Sequence, residues 1–80
     1  MSDQEAAVAE LERVGFRVVR RTSALVFLVH PEYPGLLVRV GTVFVVAERD
    51  GVEQARQRLE TLDVETLLGR AKEQRTEPME

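Results

Sequence analysis

The chain has 80 residues, which is the size of one small domain, and a net charge of −3. It contains no cysteine and one histidine. This composition excludes disulfides and thiolate metal sites and disfavours a histidine zinc site, so we expect no metal and no cofactor. A domain this small has a thin core, and we therefore expect oligomerisation to stabilise it.

No segment of the sequence predicts a signal peptide or a membrane span. The start of the chain is acidic, whereas a signal peptide starts with basic residues. The longest apolar run, Ala24 to Val29, is far shorter than the roughly 20 residues that a spanning helix needs. We expect a cytoplasmic protein that does not bind membranes.

A helix is predicted at the start of the chain. Ser2 and Glu5 have the spacing of a capping box. An apolar stripe with helical spacing follows, and it consists of Ala7, Leu11 and Val14. Gly15 is predicted to end the helix, because glycine adopts the left-handed cap conformation without strain.

Four strands are predicted next, at residues 16–21, 24–30, 36–40 and 43–48. Gly41-Thr42 between the last two strands predicts a two-residue type II′ turn, which would pair Val40 with Val43. Alternation then divides these strands into two faces. One face would carry Leu36, Val38, Val40, Val43, Val45 and Ala47. The other would carry Leu37, Arg39, Phe44, Val46 and Glu48.

The last third of the chain is predicted to be helical. Asp50 and Glu53 have capping spacing, and the stripe after them consists of Val52, Ala55, Leu59 and Leu62. Asp63 either caps a third helix or marks a bend in one long helix. The stripe of that segment consists of Val64, Leu67, Leu68 and Ala71.

These elements predict an α+β domain over residues 1–75 and a frayed tail at 76–80. The order is a helix, a four-stranded antiparallel meander and one or two C-terminal helices. The second sheet face then needs a cover. We predict that it is an interface with a second copy of the chain or with another protein, formed by Leu37, Arg39, Phe44 and Val46. The alternative is that the third helix folds over it.

A basic cluster is predicted on the first strand and just before it, formed by Arg13, Arg17, Arg20 and Arg21. Arginine binds phosphate with two parallel hydrogen bonds, so this cluster is a candidate RNA-binding site. The alternative is that these arginines pair with acids such as Glu10, Glu12 and Glu48. We favour the ion pairs, because neighbouring Arg20 and Arg21 point to opposite faces of a strand.

His30 and the residues after it are the remaining candidate for chemistry. His30, Glu32 and Tyr33 could transfer protons, but catalysis needs a positioned pocket. We interpret His30 as a polar strand end that solvent satisfies. No catalytic residue is assigned, and we do not expect an enzyme.

The stretch Val8 to Val40, about two-fifths of the chain, resembles HicA-type toxins. The likeness runs from Leu11-Glu12-Arg13-Val14-Gly15-Phe16 through Val18-Val19-Arg20-Arg21 to Phe27-Leu28-Val29-His30-Pro31. It implies a double-stranded-RNA-binding-like scaffold and a small ribonuclease paired with an antitoxin.

One turn of the sequence departs from that family. The family's turn carries a catalytic histidine, whereas this chain reads Thr22-Ser23-Ala24-Leu25, in which Ser23 alone matches. The fourth strand and third helix also exceed the family's usual layout. The resemblance therefore implies a non-catalytic relative. We predict a non-enzymatic interaction module that self-associates through its sheet, with a non-catalytic RNA-binding domain as the alternative.

Overall fold

A computed structural model describes residues 3–75, with side chains described up to residue 70. Its elements are α1 Asp3–Arg13, β1 Arg17–Arg21, β2 Val26–Val29, β3 Leu36–Val40, β4 Phe44–Arg49, β5 Val52–Arg58, a 3-10 turn Leu59–Thr61, and α2 Val64–Arg75. The predicted α+β class is confirmed, with five strands instead of four. Three predictions lie outside the described part: the cap at Ser2, the packing of Ala71 and the tail at 76–80.

The five strands form one antiparallel sheet in sequence order, β1-β2-β3-β4-β5. Side chains alternate between its two faces, and cross-strand partners point to the same face, so the pairing shows which face each residue occupies. The pairs Val18–Leu28, Leu28–Val38 and Val38–Ala47 lie on one face. The pairs Phe27–Arg39, Arg39–Val46 and Val46–Arg56 lie on the other.

Gly15 ends α1 as predicted, with a φ of 111°. The N–H of Phe16 donates to the carbonyl of Leu11, and that of Gly15 donates to the carbonyl of Glu12. These two bonds form a Schellman motif, which satisfies carbonyls at the helix end. Leu11 and Phe16 are both buried in the core, so the motif also directs the chain into β1.

The predicted register of the third and fourth strands is wrong by two residues. Val40 pairs with Val45, and the N–H of Gly41 donates to the carbonyl of Phe44 over 2.9 Å. Gly41 lacks the positive φ that a type II′ turn requires, so Thr42 and Val43 form the turn instead. A slip of two residues preserves the faces. Val43 alone leaves the predicted apolar face, and it is 47% exposed.

The helix predicted after Asp50 is wrong, because residues 52–58 form β5. Asp50 and Gly51 have φ values of 53° and 83°, and Arg49 pairs with Val52 across them. Two positive φ values define the type I′ hairpin turn, for which Asp-Gly is a preferred sequence. Hairpin formation overrides the apolar stripe, since it completes the hydrogen bonds of β4 and places Ala55 opposite Ala47.

α2 begins where Asp63 predicted a third helix. The N–H of Thr66 donates to Oδ1 of Asp63 over 3.3 Å, and its hydroxyl donates to Oδ2 over 2.9 Å. Val64 and Leu67 of α2 join Ala7, Val8 and Leu11 of α1 in a single core cluster. Both helices therefore cover the same face of the sheet. Within residues 3–75 no helix is long and apolar enough to cross a membrane.

Candidate functional site on the open face of the sheet

We call the sheet face opposite the helices the open face. Since the buried side chains of α1 and α2 lie in the core on the other side, no helix within residues 3–70 packs a side chain on it. The prediction that the third helix could cover this face therefore fails for the described part of α2. Strand alternation gives its members as Arg17, Arg20, Phe27, Val29, Leu37, Arg39, Phe44, Val46, Glu48, Glu53, Arg56 and Arg58.

The open face is basic although the chain is acidic overall. It carries five arginines and two glutamates, a surplus of three positive charges in a chain whose net charge is −3. Most acids lie elsewhere, for example on the exposed side of α1 at Asp3, Glu5 and Glu12. An anion approaching the open face therefore meets a positive surface.

One row of side chains crosses all five strands of the open face. Cross-strand partners are Arg20 with Phe27, Phe27 with Arg39, Arg39 with Val46, and Val46 with Arg56. Cationic and apolar groups thus alternate across the sheet. Strands lie about 4.8 Å apart, so successive arginines in this row are spaced by about 10 Å.

A bulge in β1 brings Arg17 and Arg20 to the same face. Arg17 pairs with Val29 and Arg20 pairs with Phe27, with the register shifting between Val18 and Arg20. A regular strand would have placed residues three apart on opposite faces. Because of the bulge, both arginines join the open face.

The two phenylalanines of the open face are contacted by arginines. The guanidinium carbon of Arg56 lies 5.0 Å from the ring centroid of Phe44, and that of Arg58 lies 5.6 Å from it. Arg20 lies 5.9 Å from the ring of Phe27. These are cation–π distances. Both rings are half-buried, so each retains surface for a further stacking partner.

Two ion pairs join arginines and glutamates of the open face. Nη2 of Arg39 lies 3.1 Å from Oε1 of Glu48. Arg56 donates from Nε and Nη2 to both carboxylate oxygens of Glu53, over 3.1 and 2.9 Å. The hydrogen bond from Arg56 lowers the pKa of Glu53 below its usual value, although partial desolvation opposes the shift. Glu48 and Glu53 are cross-strand partners, so their two negative charges would repel each other. The ion pair that each glutamate forms with an arginine offsets this repulsion.

The residues predicted as an interface all lie on the open face, but they are not a bare apolar patch. Val46 is only 7% exposed, and Leu37, Arg39 and Phe44 are half-buried. Arginine side chains flank Val46 on both sides and approach Phe44. Among the large apolar side chains with the greatest exposure, Val14 follows α1 and Val52 pairs with Arg49, whereas Val19 lies in the bulge of β1 and Val43 in the turn after β3.

The predicted basic cluster is divided by the fold. Arg17 and Arg20 lie on the open face, whereas Arg21 pairs with the buried Val26 and so belongs to the helix side. The prediction that Arg20 and Arg21 point to opposite faces is confirmed. Arg13 lies at the end of α1 and pairs with Glu10, one of the acids anticipated for it.

His30 is held by backbone groups, and the expectation that solvent satisfies it is wrong. Its Nε2 lies 3.0 Å from the carbonyl of Val14, and its Nδ1 accepts the N–H of Glu32 over 3.0 Å. Since Nδ1 accepts, the ring proton is on Nε2 and donates to Val14. The ring also packs against Phe16 and Tyr33, with centroids 4.9 and 4.6 Å away. His30 therefore fastens the end of α1 to the loop after β2.

Sequence patterns do not identify five members of the open face. Glu53, Arg56 and Arg58 fall in the predicted helix after Asp50, and Phe27 and Val29 fall in a predicted strand without a role. The signal for the three residues of β5 is Asp50-Gly51, because this dipeptide predicts a hairpin and therefore a further strand. Phe27 could be assigned to this face only through its pairing with Arg39.

Comparisons with protein families, curated proteins and solved structures found no match. The resemblance to HicA-type toxins thus stays a prediction. In the described part of the chain, no three His, Cys, Asp or Glu side chains come together in a way that could hold a metal ion.

Proposed function

We propose that the protein is a non-enzymatic module that binds single-stranded RNA on the open face of its sheet. The observation that carries this proposal is the alternating row that crosses all five strands. Guanidinium groups bind phosphates through paired hydrogen bonds. Aromatic rings and guanidinium planes stack on unpaired bases. The members of the row are Arg20, Phe27, Arg39, Val46 and Arg56.

The charge distribution supports an anionic ligand over a second copy of the chain. Each open face carries five arginines and two glutamates, so face-to-face contact between two copies would bring ten arginines and only four glutamates together. The excess positive charge would oppose such a contact. An RNA backbone supplies one negative charge per nucleotide and releases counterions when arginines neutralise it. The net charge of the whole chain weakens long-range attraction, so binding at low ionic strength is expected to be moderate.

The chemistry of the face also favours unpaired RNA over duplexes and over DNA. Bases must be unstacked before they can contact Phe27 or Phe44, and single strands allow this. Glu48 and Glu53 place carboxylate acceptors among the arginines. The 2′-hydroxyl of RNA can donate a hydrogen bond to these carboxylates, and DNA lacks this hydroxyl.

The non-enzymatic part of the proposal is supported by the state of His30. It is the single histidine of the chain, and both of its ring nitrogens are engaged by backbone groups. A general base needs a free nitrogen within reach of a substrate proton. We accordingly propose binding without turnover, in the cytoplasm.

The test is the binding of a labelled single-stranded RNA of about 10 nucleotides, a length within the usual range for such surfaces. The double variant Arg17→Glu/Arg20→Glu should lose at least tenfold in affinity, because two exposed cations of the face become anions. The matched control is Arg13→Glu/Arg70→Glu, which makes the same change in net charge on exposed residues of the two helices. It should bind within about twofold of the wild type.

Salt dependence gives a second reading of the same experiment. Removal of one arginine–phosphate interaction should flatten the plot of log affinity against log salt by about 0.7 units. Equal reductions in affinity for the two double variants would show a nonspecific charge effect and would contradict the proposal. So would the absence of wild-type binding at low salt.

Self-association through the sheet remains a second candidate function. It is favoured by an apolar pair at one end of the open face, where Val29 lies opposite Leu37. Both side chains are half-buried and have no described helix above them. A homodimer would bury this pair. A dimeric state in solution would support self-association, and a monomeric state would contradict it.

A further inference from the structure

We propose that a groove at one end of the open face is the seat of a single nucleotide of the bound RNA, an inference that rests on the proposed function. The groove lies beside the turn between β3 and β4 and has a volume of about 290 Å³. It is lined by Leu25, Arg39, Phe44, Val46 and Arg56 together with the turn residues Gly41, Thr42 and Val43. It thus combines two cations with an aromatic ring and aliphatic groups.

Two arginines of the groove lie on either side of Val46. Val46 is the cross-strand partner of Arg39 on one side and of Arg56 on the other. Arg39 and Arg56 therefore stand two strands apart, about 10 Å between their backbones. Arg56 contacts Glu53 through Nε and Nη2, and Arg39 contacts Glu48 through Nη2, so their Nη1 groups are the donors that can converge on one phosphate group between them.

Arg39 has a donor that the described protein groups do not satisfy. Its Nη2 contacts Glu48, whereas its Nε is buried and has no hydrogen-bond partner among the described residues. A buried donor without an acceptor is unfavourable. A small movement of the side chain toward a bound phosphate would supply the missing acceptor.

The apolar part of the groove fits a base. Phe44 is half-buried with the guanidinium carbon of Arg56 lying 5.0 Å from its ring centroid, and Leu25 and Val43 also line the groove. A planar base can stack on the ring or on the guanidinium plane of Arg56. Inorganic phosphate would use the cations alone, and a nucleoside would use the apolar part alone. The composition of the groove therefore fits a nucleotide better than either fragment.

The experiment is an NMR titration of the isotopically labelled full chain with three probes: adenosine 5′-monophosphate, adenosine and inorganic phosphate. We expect the monophosphate to shift the amide signals of Gly41, Phe44 and Val46 and to bind at least about tenfold more tightly than either fragment. Signals of α1 should not move. Equal affinities for the monophosphate and for phosphate would overturn the inference, because the apolar part would then contribute nothing.

Variants separate this inference from the proposed function. Arg56→Gln should weaken monophosphate binding about tenfold, the usual effect of losing a hydrogen bond to a charged group. The control Arg70→Gln changes an exposed arginine of α2 and should leave it unchanged. If the RNA binds the open face while the monophosphate causes no shift in the groove, the subsite is contradicted and the proposed function stands. If neither ligand binds, both are contradicted.

Discussion

The two faces of the sheet are built from the same strands but differ in burial and in charge. On the helix side, Leu28, Val38, Val40, Val45 and Ala47 have no exposed surface. On the open face, arginines alternate with apolar side chains, of which Phe27 and Phe44 are half-buried and Val46 is buried. Stability is therefore concentrated on one face, and the other is free to carry charge. A substitution should affect folding on the first face and binding on the second.

The largest expected effect comes from neighbouring residues of β2 that point to opposite faces. Leu28→Ala should reduce the free energy of unfolding by about 2–5 kcal/mol, because it leaves a cavity in the core. Phe27→Ala removes a larger side chain from the open face and should cost only about 1 kcal/mol. Urea unfolding of both variants gives the comparison, and a larger loss for Phe27→Ala would show that the open face is part of the core.

The next effect tests how the helix layer is attached. Gly15→Ala should destabilise the protein by about 1–3 kcal/mol, since residue 15 has a positive φ. Its new Cβ would also come within 2.5 Å of Nε2 of His30. Gly69→Ala is the control, because a Cβ there meets nothing within 4 Å. It should stabilise α2 by up to about 1 kcal/mol. Changes of the same sign in the free energy of unfolding of the two variants would contradict the account.

A smaller, pH-dependent effect is expected at the start of α2. Hydrogen bonds from Thr66 lower the pKa of Asp63 below its ordinary value of 3.8. The folded state therefore holds the proton less tightly than the unfolded state, and the carboxylate stabilises the fold at pH values above 3.8. That contribution is lost as the pH falls through the lowered pKa. Asp63→Ala should melt below the wild type at neutral pH, with a difference that shrinks in acid. A difference in melting temperature that stays constant with pH would contradict the role of the Asp63 carboxylate as the helix cap.

The smallest expected effect on folding is that of Phe44→Asp on the open face. The new carboxylate would lie near Arg56 and Arg58, which can pair with it. The variant should keep the circular dichroism spectrum of the wild type. Light scattering with size-exclusion chromatography of both proteins then tests self-association. A dimeric wild type and a monomeric variant would favour the second candidate function, whereas unfolding would show that an element covers the face.

Local signals predicted the elements whose ends are fixed by single residues. Gly15 ends α1 and Asp63 begins α2, because caps depend on neighbouring backbone groups alone. The faces of β3 and β4 were also predicted correctly except at Val43, since an alternating pattern survives a slip of two residues. Asp50 carried two local signals, a capping pattern with Glu53 and a hairpin turn with Gly51. Pairing with β4, which is a tertiary effect, decided between them.

The candidate site was less predictable because it depends on register. Arg17 and Arg20 share a face only through a bulge, and no residue type in β1 specifies where that bulge falls. Arg56 joins the site only because residues 52–58 form a strand. Sequence patterns identified Arg39, Phe44 and Val46 through the alternation of one hairpin. They could not identify the row that crosses five strands.

The central claim is that RNA binds the open face, and photo-crosslinking tests it most directly. RNA carrying 5-iodouridine crosslinks to aromatic side chains that it stacks on, and the chain has three phenylalanines and one tyrosine. Phe27 and Phe44 lie on the open face, whereas Phe16 is buried and Tyr33 lies beside His30. Mass spectrometry should therefore locate the crosslinks at Phe27 or Phe44. Crosslinks centred on Tyr33, or none despite measurable binding, would contradict the account.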